Sequence, residues 1–422
     1  MASEQPFDGV TVVEFGQFVA VPFCAQLLAD GGAAVIKVET LAGDPVRRLM
    51  PVAPGETRIF LSRNRGKRSL PLDLRHPQAP AVVEALLRSA DVALMNFRPG
   101  LAEEHGLDAA TLLGRYPRLV IGEVTPFGRA GPDALRAGMD LVVQARSGLM
   151  VANGRITDDR PATGDPVSAD YMCAMSLAFG VASALLRRER TGQGGVVHTS
   201  LMQAAMTLNN NQMLRIEGLD AEPQREALST LAAQREAGTS YAAVRQSLPA
   251  TRPAPMFRVY FRTYHTADGW IAVACGSHAL RERFLLATGL RDDQLEADQE
   301  RVPPEHYVNL EREAERLFSS RSTAAWEATL SAAGVPVSDV KFPLEMLDDA
   351  QAEASGMFHD LAHPTLGTVR VLAPPVALDA DGFQGRGRSQ PLGEETRAVL
   401  SELGFTEEET DRLIASGVTR EG

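Results

Sequence analysis

The 422-residue chain has little cysteine and little tryptophan, with three and two residues respectively. Cys24, Cys173 and Cys275 are far apart, so they show neither the close spacing of a zinc site nor a disulfide framework. The eight histidines offer no convincing metal pair either. We therefore expect no metal site, and three reduced core thiols in a cytoplasmic protein.

An excess of basic charge is also missing. The chain has 54 acidic and 42 basic residues and a net charge of −12. Nucleic acid is not expected as a partner, because binding phosphates along a strand needs a basic surface. No N-terminal signal pattern is visible and no apolar stretch is expected to reach membrane-spanning length, so no membrane partner is expected.

Two catalytic fingerprints are absent as well. No G-x-G-x-x-G motif is present, so nothing indicates a nicotinamide or flavin. No G-x-S-x-G motif is present, so nothing indicates a Ser/His/Asp hydrolase. Catalysis would have to come from another kind of side chain.

What is present is an alternation of strands and helices. Val10–Gly16 predicts a strand, Pro22 opens a helix, and Ala34–Glu39 predicts a second strand, which together form a β-α-β unit. Asp91–Phe97 and Leu119–Thr125 predict further strands. The pattern indicates an α/β protein with a large Rossmann-like parallel sheet, and the length indicates two domains or one large elaborated domain.

Positive charge is concentrated in one segment. Residues 40–100 contain ten lysines and arginines but five acidic residues. A basic zone on an acidic protein suggests a small anionic ligand, since cations on loops suit phosphates. Chance clustering on a solvated surface is the alternative.

Motifs in this zone resemble the family III CoA-transferases, the formyl-CoA and carnitine CoA-transferase group. They are V-I-K-V-E from Val35, the Gly43–Arg47 step, N-R-G-K-R-S from Asn64, and N-F-R-P-G from Asn96. The resemblance implies that CoA is bound as a substrate, with no metal, nicotinamide or flavin. The CoA positions that it implies are Val19, Ala20, Arg47, Arg63, Lys67, Arg68, Leu72, Arg75, Asn96, Phe97 and Arg98. Phe97 has two open roles, packing on adenine or filling the core.

The run from Gly138 to Met150 separates two branches of the resemblance. The racemase branch has a histidine where this chain has Met139, and a thioether cannot transfer a proton. Asp140 is implied as a catalytic partner, although it and Gln144 could instead hold loop backbone. Val19 stands where the formyl-CoA branch has glutamine, which disfavours oxalate or formate as a substrate.

The stretch from Gly164 to Ala205 predicts a helix at Tyr171–Arg188 that is buried on nearly every side and ends at Thr191–Gly195. Asp170 stands at its start. From the residues alone, Asp170 or Asp165 is more often a helix cap than a functional group. The resemblance implies that Asp170 is the nucleophile.

The resemblance implies CoA transfer from an acyl-CoA thioester to a carboxylic acid, through an aspartyl anhydride and an aspartyl-CoA thioester. Three alternatives stay open: an acyl-CoA racemase or isomerase, transfer within one dicarboxylic acid, and CoA binding without catalysis. It also implies an interlocked homodimer. The expected organisation is a large CoA-binding domain at 1–215, a linker and small α/β domain at 216–335, and a return segment at 336–422.

Overall fold

A computed structural model describes residues 5–248, 255–298, 301–379, 382–385 and 387–422. The chain divides into two compact units. The larger unit comprises Met1–Glu226, Ala232–Arg245 and Glu353–Gly422, and the smaller unit comprises Ala227–Leu231 and Gln246–Ala352.

The strands of the described residues are β1 (Thr11–Phe15), β2 (Ala34–Glu39), β3 (Pro51–Ala53), β4 (Glu56–Thr57), β5 (Lys67–Pro71), β6 (Val92–Met95), β7 (Val120–Thr125), β8 (Ile156–Thr157), β9 (Arg160–Pro161), β10 (Gly195–Ser200), β11 (Phe261–His265), β12 (Trp270–Ala274), β13 (Val337–Asp339), β14 (Phe358–His363) and β15 (Gly367–Leu372). The α-helices are α1 (Ala20–Asp30), α2 (Arg58–Leu61), α3 (Ala79–Ser89), α4 (Leu101–Glu104), α5 (Ala109–Arg115), α6 (Asp140–Ser147), α7 (Leu149–Ala152), α8 (Ser168–Thr191), α9 (Leu201–Leu208), α10 (Glu217–Glu236), α11 (Tyr241–Ser247), α12 (Phe257–Tyr260), α13 (His278–Thr288), α14 (Pro304–Phe318), α15 (Thr323–Ala332), α16 (Ala350–Ala354), α17 (Thr396–Glu402) and α18 (Glu407–Ala415).

The larger unit is built on a six-stranded parallel sheet in the order β10-β7-β6-β1-β2-β5. Its central strands are mostly apolar and buried, as expected where helices cover both faces, although Glu14 of β1 and Lys37 of β2 are buried among them. The predicted α/β class with a parallel sheet is confirmed. The strand order changes direction between β1 and β6, and open α/β sheets bind ligands at the carboxyl ends of the strands beside such a point.

Two local predictions are wrong by a few residues. Helix α1 begins at Ala20, so Pro22 is its third residue and does not open it. The basic, glycine-containing run N-R-G-K-R-S is typical of a loop, but β5 begins at Lys67, so the second half of the run is strand and only the first half is loop. The pairing of β5 with β2 imposes this extended conformation on the basic residues.

Helix α8 crosses the core of the larger unit and ends at Gly192, whose φ of 74° permits the left-handed turn. Cys173, Leu177 and Val181 on its inner face are fully buried. The prediction of burial on nearly every side is wrong, because Phe179 is 77% exposed and Leu186 is 56% exposed.

Helix α8 is also long and apolar enough to cross a membrane by length and composition, so the prediction that no stretch has this length is wrong. The core helix of a soluble protein passes the same test. Helix α8 packs against α1, α9, β7 and β10 within the larger unit, as a core helix does.

The smaller unit has an antiparallel sheet in the order β11-β12-β13. Its core includes the stacked rings of Tyr264 and Phe318, whose centroids are 4.3 Å apart. Strand β13 pairs with β12, so this unit continues past the predicted boundary at 335 and ends at Ala352. Its start also differs from 216, because most of α10 belongs to the larger unit.

The return segment joins the larger unit through long-range contacts. An isolated bridge pairs Leu72 with Thr419, and Arg65 Nη1 donates to the Leu372 carbonyl at 2.7 Å. Residues near the C-terminus therefore lie beside β5 and the basic loop before it.

Candidate active site

Asp170 lies in the first turn of α8 without capping it. The N-cap is Val167, and no side chain accepts a hydrogen bond there. The interpretation of Asp165 or Asp170 as a helix cap is therefore wrong. The half-buried carboxylate of Asp170 takes part in no ion pair within the described residues. Such a group remains available for chemistry.

Asp140 lies directly against this turn. The backbone N–H of Asp170 donates to Asp140 Oδ2 at 3.1 Å, and Gln144 Nε2 donates to Asp140 Oδ1. Thr163 Oγ1 in turn donates to Gln144 Oε1 at 2.9 Å. Asp140 is 6% exposed and Gln144 is fully buried, so this chain of hydrogen bonds fixes the start of α8 against α6.

The surroundings of Asp170 disfavour its charged form. Its pKa is raised to about 7, mainly by burial and also by the negative charge of Asp140, while the positive charge of Arg63 acts in the opposite direction. A carboxylate with such a pKa is partly protonated at neutral pH and is a stronger base than an ordinary aspartate. Raised values of this kind are typical of functional groups.

An aromatic pair borders the same turn. Tyr171 follows Asp170, and its ring meets Phe23 of α1 edge-on at 4.9 Å between centroids. Val19 is the N-cap of α1 and Ala20 its first residue. Their side chains are 7% and 2% exposed, so a ligand at this helix start would meet their backbone.

A groove of about 660 Å³ opens at the carboxyl ends of β1, β2 and β6, at the point where the strand order reverses. Five of the predicted CoA positions line it, namely Leu72, Arg75, Asn96, Phe97 and Arg98. Phe97 is half-buried, with its ring centroid 5.8 Å from that of Phe15. Gln17 and His105, which were not predicted as CoA positions, also line the groove. The position of Gln17 just after β1 could have indicated it.

The turn between β1 and α1 forms one wall of this groove. Asn96 accepts from the Gln17 N–H at 3.0 Å and donates to the Gln17 carbonyl at 2.9 Å. Phe18 has a φ of 67°, a strained conformation for a side chain of this size. Lys37 donates to the Gly16 carbonyl at 2.8 Å and so supports the turn from beneath.

Three predicted CoA-binding cations lie outside the groove lining and already have partners. Arg47 is 2% exposed and binds Glu39 through two hydrogen bonds of 2.7 and 2.8 Å. Lys67 is 3% exposed and lies 2.8 Å from Glu14. Arg68 pairs with Glu395 and Glu402. These three charges are therefore held in ion pairs of the fold, and their contact with CoA remains a prediction.

Within the described ranges, two groups of side chains have the spacing to hold a cation. They are His278 with Glu282 and Glu296, and Asp292 with Asp293 and His306. Both lie in the smaller unit and neither includes a residue of the groove or of the Asp170 site. The absence of a metal remains a prediction.

The fold and the site together define an α/β enzyme with a carboxylate as its candidate nucleophile and a groove at the switch point of its sheet. The family model described as CoA-transferase family III matches residues 7–396. The chain therefore belongs to this family, and it is a CoA-transferase that acts on CoA thioesters.

Similar proteins cover almost the whole chain. It is 30% identical over 430 residues to the succinyl-CoA–D-citramalate CoA-transferase of Chloroflexus aurantiacus, covering 98% of each. It is 28% identical over 429 residues to the cinnamoyl-CoA:phenyllactate CoA-transferase of Clostridium sporogenes, covering 96% of this chain and 95% of that one. The crystal structure of a CaiB/BaiF family protein from Brucella suis has a TM-score of 0.74 at 27% identity, covering 95% and 100% of the two chains.

Proposed function

We propose that this enzyme transfers CoA between carboxylic acids by covalent catalysis at Asp170. The observation that carries the proposal is the carboxylate itself. It is half-buried in the first turn of α8, has no cationic partner within the described residues, and has a pKa of about 7. A desolvated carboxylate is a better nucleophile toward a thioester than a solvated one.

The proposed reaction has two symmetrical halves. Asp170 attacks the thioester carbonyl, the C–S bond breaks, and an aspartyl-acyl anhydride and CoA thiolate result. The thiolate attacks the aspartyl carbonyl and releases the first acid, which carries away one aspartate oxygen. The acceptor carboxylate attacks the aspartyl-CoA thioester, and the released thiolate attacks the acceptor carbonyl. Product CoA thioester and free Asp170 are formed.

Asp140 acts as a positioning residue in this scheme. Its two oxygens accept from Gln144 and from the Asp170 backbone, so it holds the nucleophile in place, and its charge keeps the pKa of Asp170 high. Backbone amides of Val19 and Ala20, at the start of α1, are proposed as donors to the CoA thioester. The first amides of a helix have no partner inside the helix.

The groove at the switch point is proposed to hold the nucleotide of CoA. Arg75 and Arg98 line the groove with exposed side chains, and Phe97 offers a ring face. Guanidinium groups suit phosphates and aromatic rings suit adenine. Glu39 also faces the groove, but Arg47 neutralises it.

The racemase alternative is not favoured. Met139 is 57% exposed at the N-cap of α6 and has no group that transfers a proton. Transfer within one dicarboxylic acid would use the same steps as transfer between two acids. CoA binding without catalysis is disfavoured because it would not account for the raised pKa of Asp170, which is typical of catalytic groups.

We also propose a homodimer and a cytoplasmic location. The exposed apolar residues of α8, including Phe179 and Leu186, form a surface that a second copy would bury. The three cysteines are free and buried, which is typical of proteins from a reducing compartment. No metal is assigned a role.

Trapping of the intermediate tests the proposal. Wild type and Asp170→Asn would be incubated with succinyl-CoA, cinnamoyl-CoA and a long-chain acyl-CoA, then treated with hydroxylamine or borohydride and digested. We expect a modified Asp170 peptide in wild type and none in the variant. As a control, calorimetry measures the affinity of wild type and of Asp170→Asn for CoA, so that a loss of binding can be distinguished from a loss of chemistry. Full transfer activity in Asp170→Asn would contradict the proposal.

A further inference from the structure

Arg63 differs from the cations around it. Arg65, two residues later, is 3% exposed and is bound to Asp30 by hydrogen bonds of 2.8 and 2.7 Å. Arg63 is half-buried, and no carboxylate oxygen lies within 4.0 Å of it in the described parts of the chain. A guanidinium that is held in place without a counter-charge is a binding group for an anion.

The guanidinium of Arg63 is fixed on one side only. Its Nε donates to the Tyr171 hydroxyl at 3.0 Å, and its Cζ lies 5.3 Å from the centre of the Tyr171 ring. Nη1 makes a long contact of 3.4 Å with the Ile59 carbonyl. Nη2 has no hydrogen-bond partner among the residues that the structure describes. The outer edge of the guanidinium is therefore free, and that edge can bind both oxygens of a carboxylate.

The free edge of the Arg63 guanidinium is held close to the nucleophile, Asp170. Tyr171 is the residue after Asp170, so Arg63 is anchored one position along α8 from the reacting carboxylate. Its charge acts on Asp170, yet the two groups are not within ion-pair distance. The gap between them is where the carbon chain of a substrate would lie, with one carboxyl carbon at Asp170 and a second carboxylate at Arg63.

We infer that Arg63 binds the distal carboxylate of a dicarboxylic acid, so that this enzyme transfers CoA to or from short diacids. The inference rests on the proposed function of Asp170. It makes Arg63 a specificity-determining residue, separate from the residues that bind the nucleotide.

The phosphates of CoA are a weaker match for Arg63. The groove at the switch point has its own cation, Arg98, which forms no ion pair with any described residue, and Arg63 is not among the residues that line this groove. Arg63 is instead tied to Tyr171 on α8, next to the nucleophile. The loop before β5 thus places Arg63 beside Asp170, while its neighbour Arg65 forms an ion pair that stabilises the fold.

The test compares acceptors that differ in one charge. With a fixed CoA donor, kcat/KM is measured for succinate and for glutarate, and for the monoamide of each. Wild type should prefer each diacid over its monoamide. Arg63→Gln should lower kcat/KM for the diacids by about 10- to 100-fold, the range expected for one charge-assisted pair, mostly through KM. The monoamides should change less than about twofold.

Three further variants separate charge, orientation and fold. Arg63→Lys keeps the charge but loses the two parallel donors of the guanidinium, so its kcat/KM for the diacids should lie between those of wild type and Arg63→Gln. Tyr171→Phe removes the hydroxyl that holds Nε and should lower the diacid preference while keeping the ring. Arg58→Gln, in the preceding short helix and exposed, should leave the preference unchanged.

Two results would overturn the inference while leaving the proposed function in place. One is a wild type that forms the Asp170 adduct but treats diacids and monoamides alike. The other is an Arg63→Gln variant that keeps the wild-type diacid preference. Failure of the proposed function has a different signature, because no Asp170 adduct would form with any donor.

Discussion

The cations between residues 40 and 100 fall into two regions with opposite properties. Beneath the sheet edge at β2 and β5, Arg47 and Lys67 are almost fully buried and bound to Glu39 and Glu14. At the groove, Arg98 is exposed and has no carboxylate partner in the described parts of the chain. Both groups look alike in sequence. The difference shows that cations from one basic segment can be buried in ion pairs of the fold at some positions and exposed at a surface groove at another.

The buried region has a clear structural task. Lys37 binds Glu14 at 2.7 Å and Asp44 at 3.0 Å, and it also reaches the Gly16 carbonyl. These pairs tie β1, β2 and β5 together beneath the turn that forms the groove wall. These charges therefore stabilise the turn from within the fold.

The largest expected effect comes from breaking a buried pair. Arg47→Met should lower the free energy of unfolding by about 3–5 kcal/mol, because Glu39 would remain buried without a partner. Urea unfolding followed by circular dichroism measures this. The matched control, Arg98→Gln, should change stability by less than about 0.5 kcal/mol. If Arg47→Met were as stable as wild type but bound CoA more weakly, Arg47 would belong to the ligand site and not to the structural ion pairs.

The next effect concerns CoA binding at the open region. Arg98→Gln should raise the Kd for CoA about tenfold, which corresponds to about 1.4 kcal/mol, since it removes one charge-assisted contact to phosphate. Calorimetry at two salt concentrations checks this, and the loss should shrink at high salt. Unchanged affinity for CoA would contradict the proposal that the groove binds the nucleotide.

A pH profile addresses the nucleophile. The reaction needs ionised Asp170, so activity should rise with pH through the region near its pKa of about 7. Asp140→Asn removes a charge that raises this pKa, so the acid limb of kcat/KM should move to lower pH. Arg63→Gln should move it to higher pH, because the charge of Arg63 lowers the pKa. Shifts in the same direction in both variants would contradict this electrostatic account.

The smallest effect is expected at Arg68, whose side chain is 24% exposed and pairs with Glu395 and Glu402. Partly exposed ion pairs contribute little, so Arg68→Gln should cost about 1 kcal/mol or less. CoA affinity should stay within twofold of wild type. A large rise in the Kd for CoA would show that Arg68 contributes to CoA binding.

The sequence predicted the parts of the fold that depend on local patterns. The apolar runs at Val10–Gly16 and Ala34–Glu39 became β1 and β2, and Gly192 ended α8 as expected. The importance of Asp170 came from resemblance, since its residues alone favoured a cap. The positions Asn96 and Phe97 came from the same resemblance, and both line the groove.

What could not be predicted depends on partners distant in the chain. Arg68 meets residues more than 300 positions away, and Arg65 meets the carbonyl of Leu372. No spacing rule links such pairs, so the sequence shows the charge but not its neutralisation. The exposed face of α8 was missed because its composition does not show which side has a neighbour.

The most direct test of covalent transfer follows oxygen. An acceptor acid labelled with oxygen-18 in its carboxylate is supplied for one turnover, and the Asp170 peptide is analysed by mass spectrometry. The account predicts that one labelled oxygen enters Asp170 and leaves in the donor acid at the next turnover. Label that passes straight from acceptor to donor acid, with none in the protein, would show that the two substrates react directly and that Asp170 is not the nucleophile.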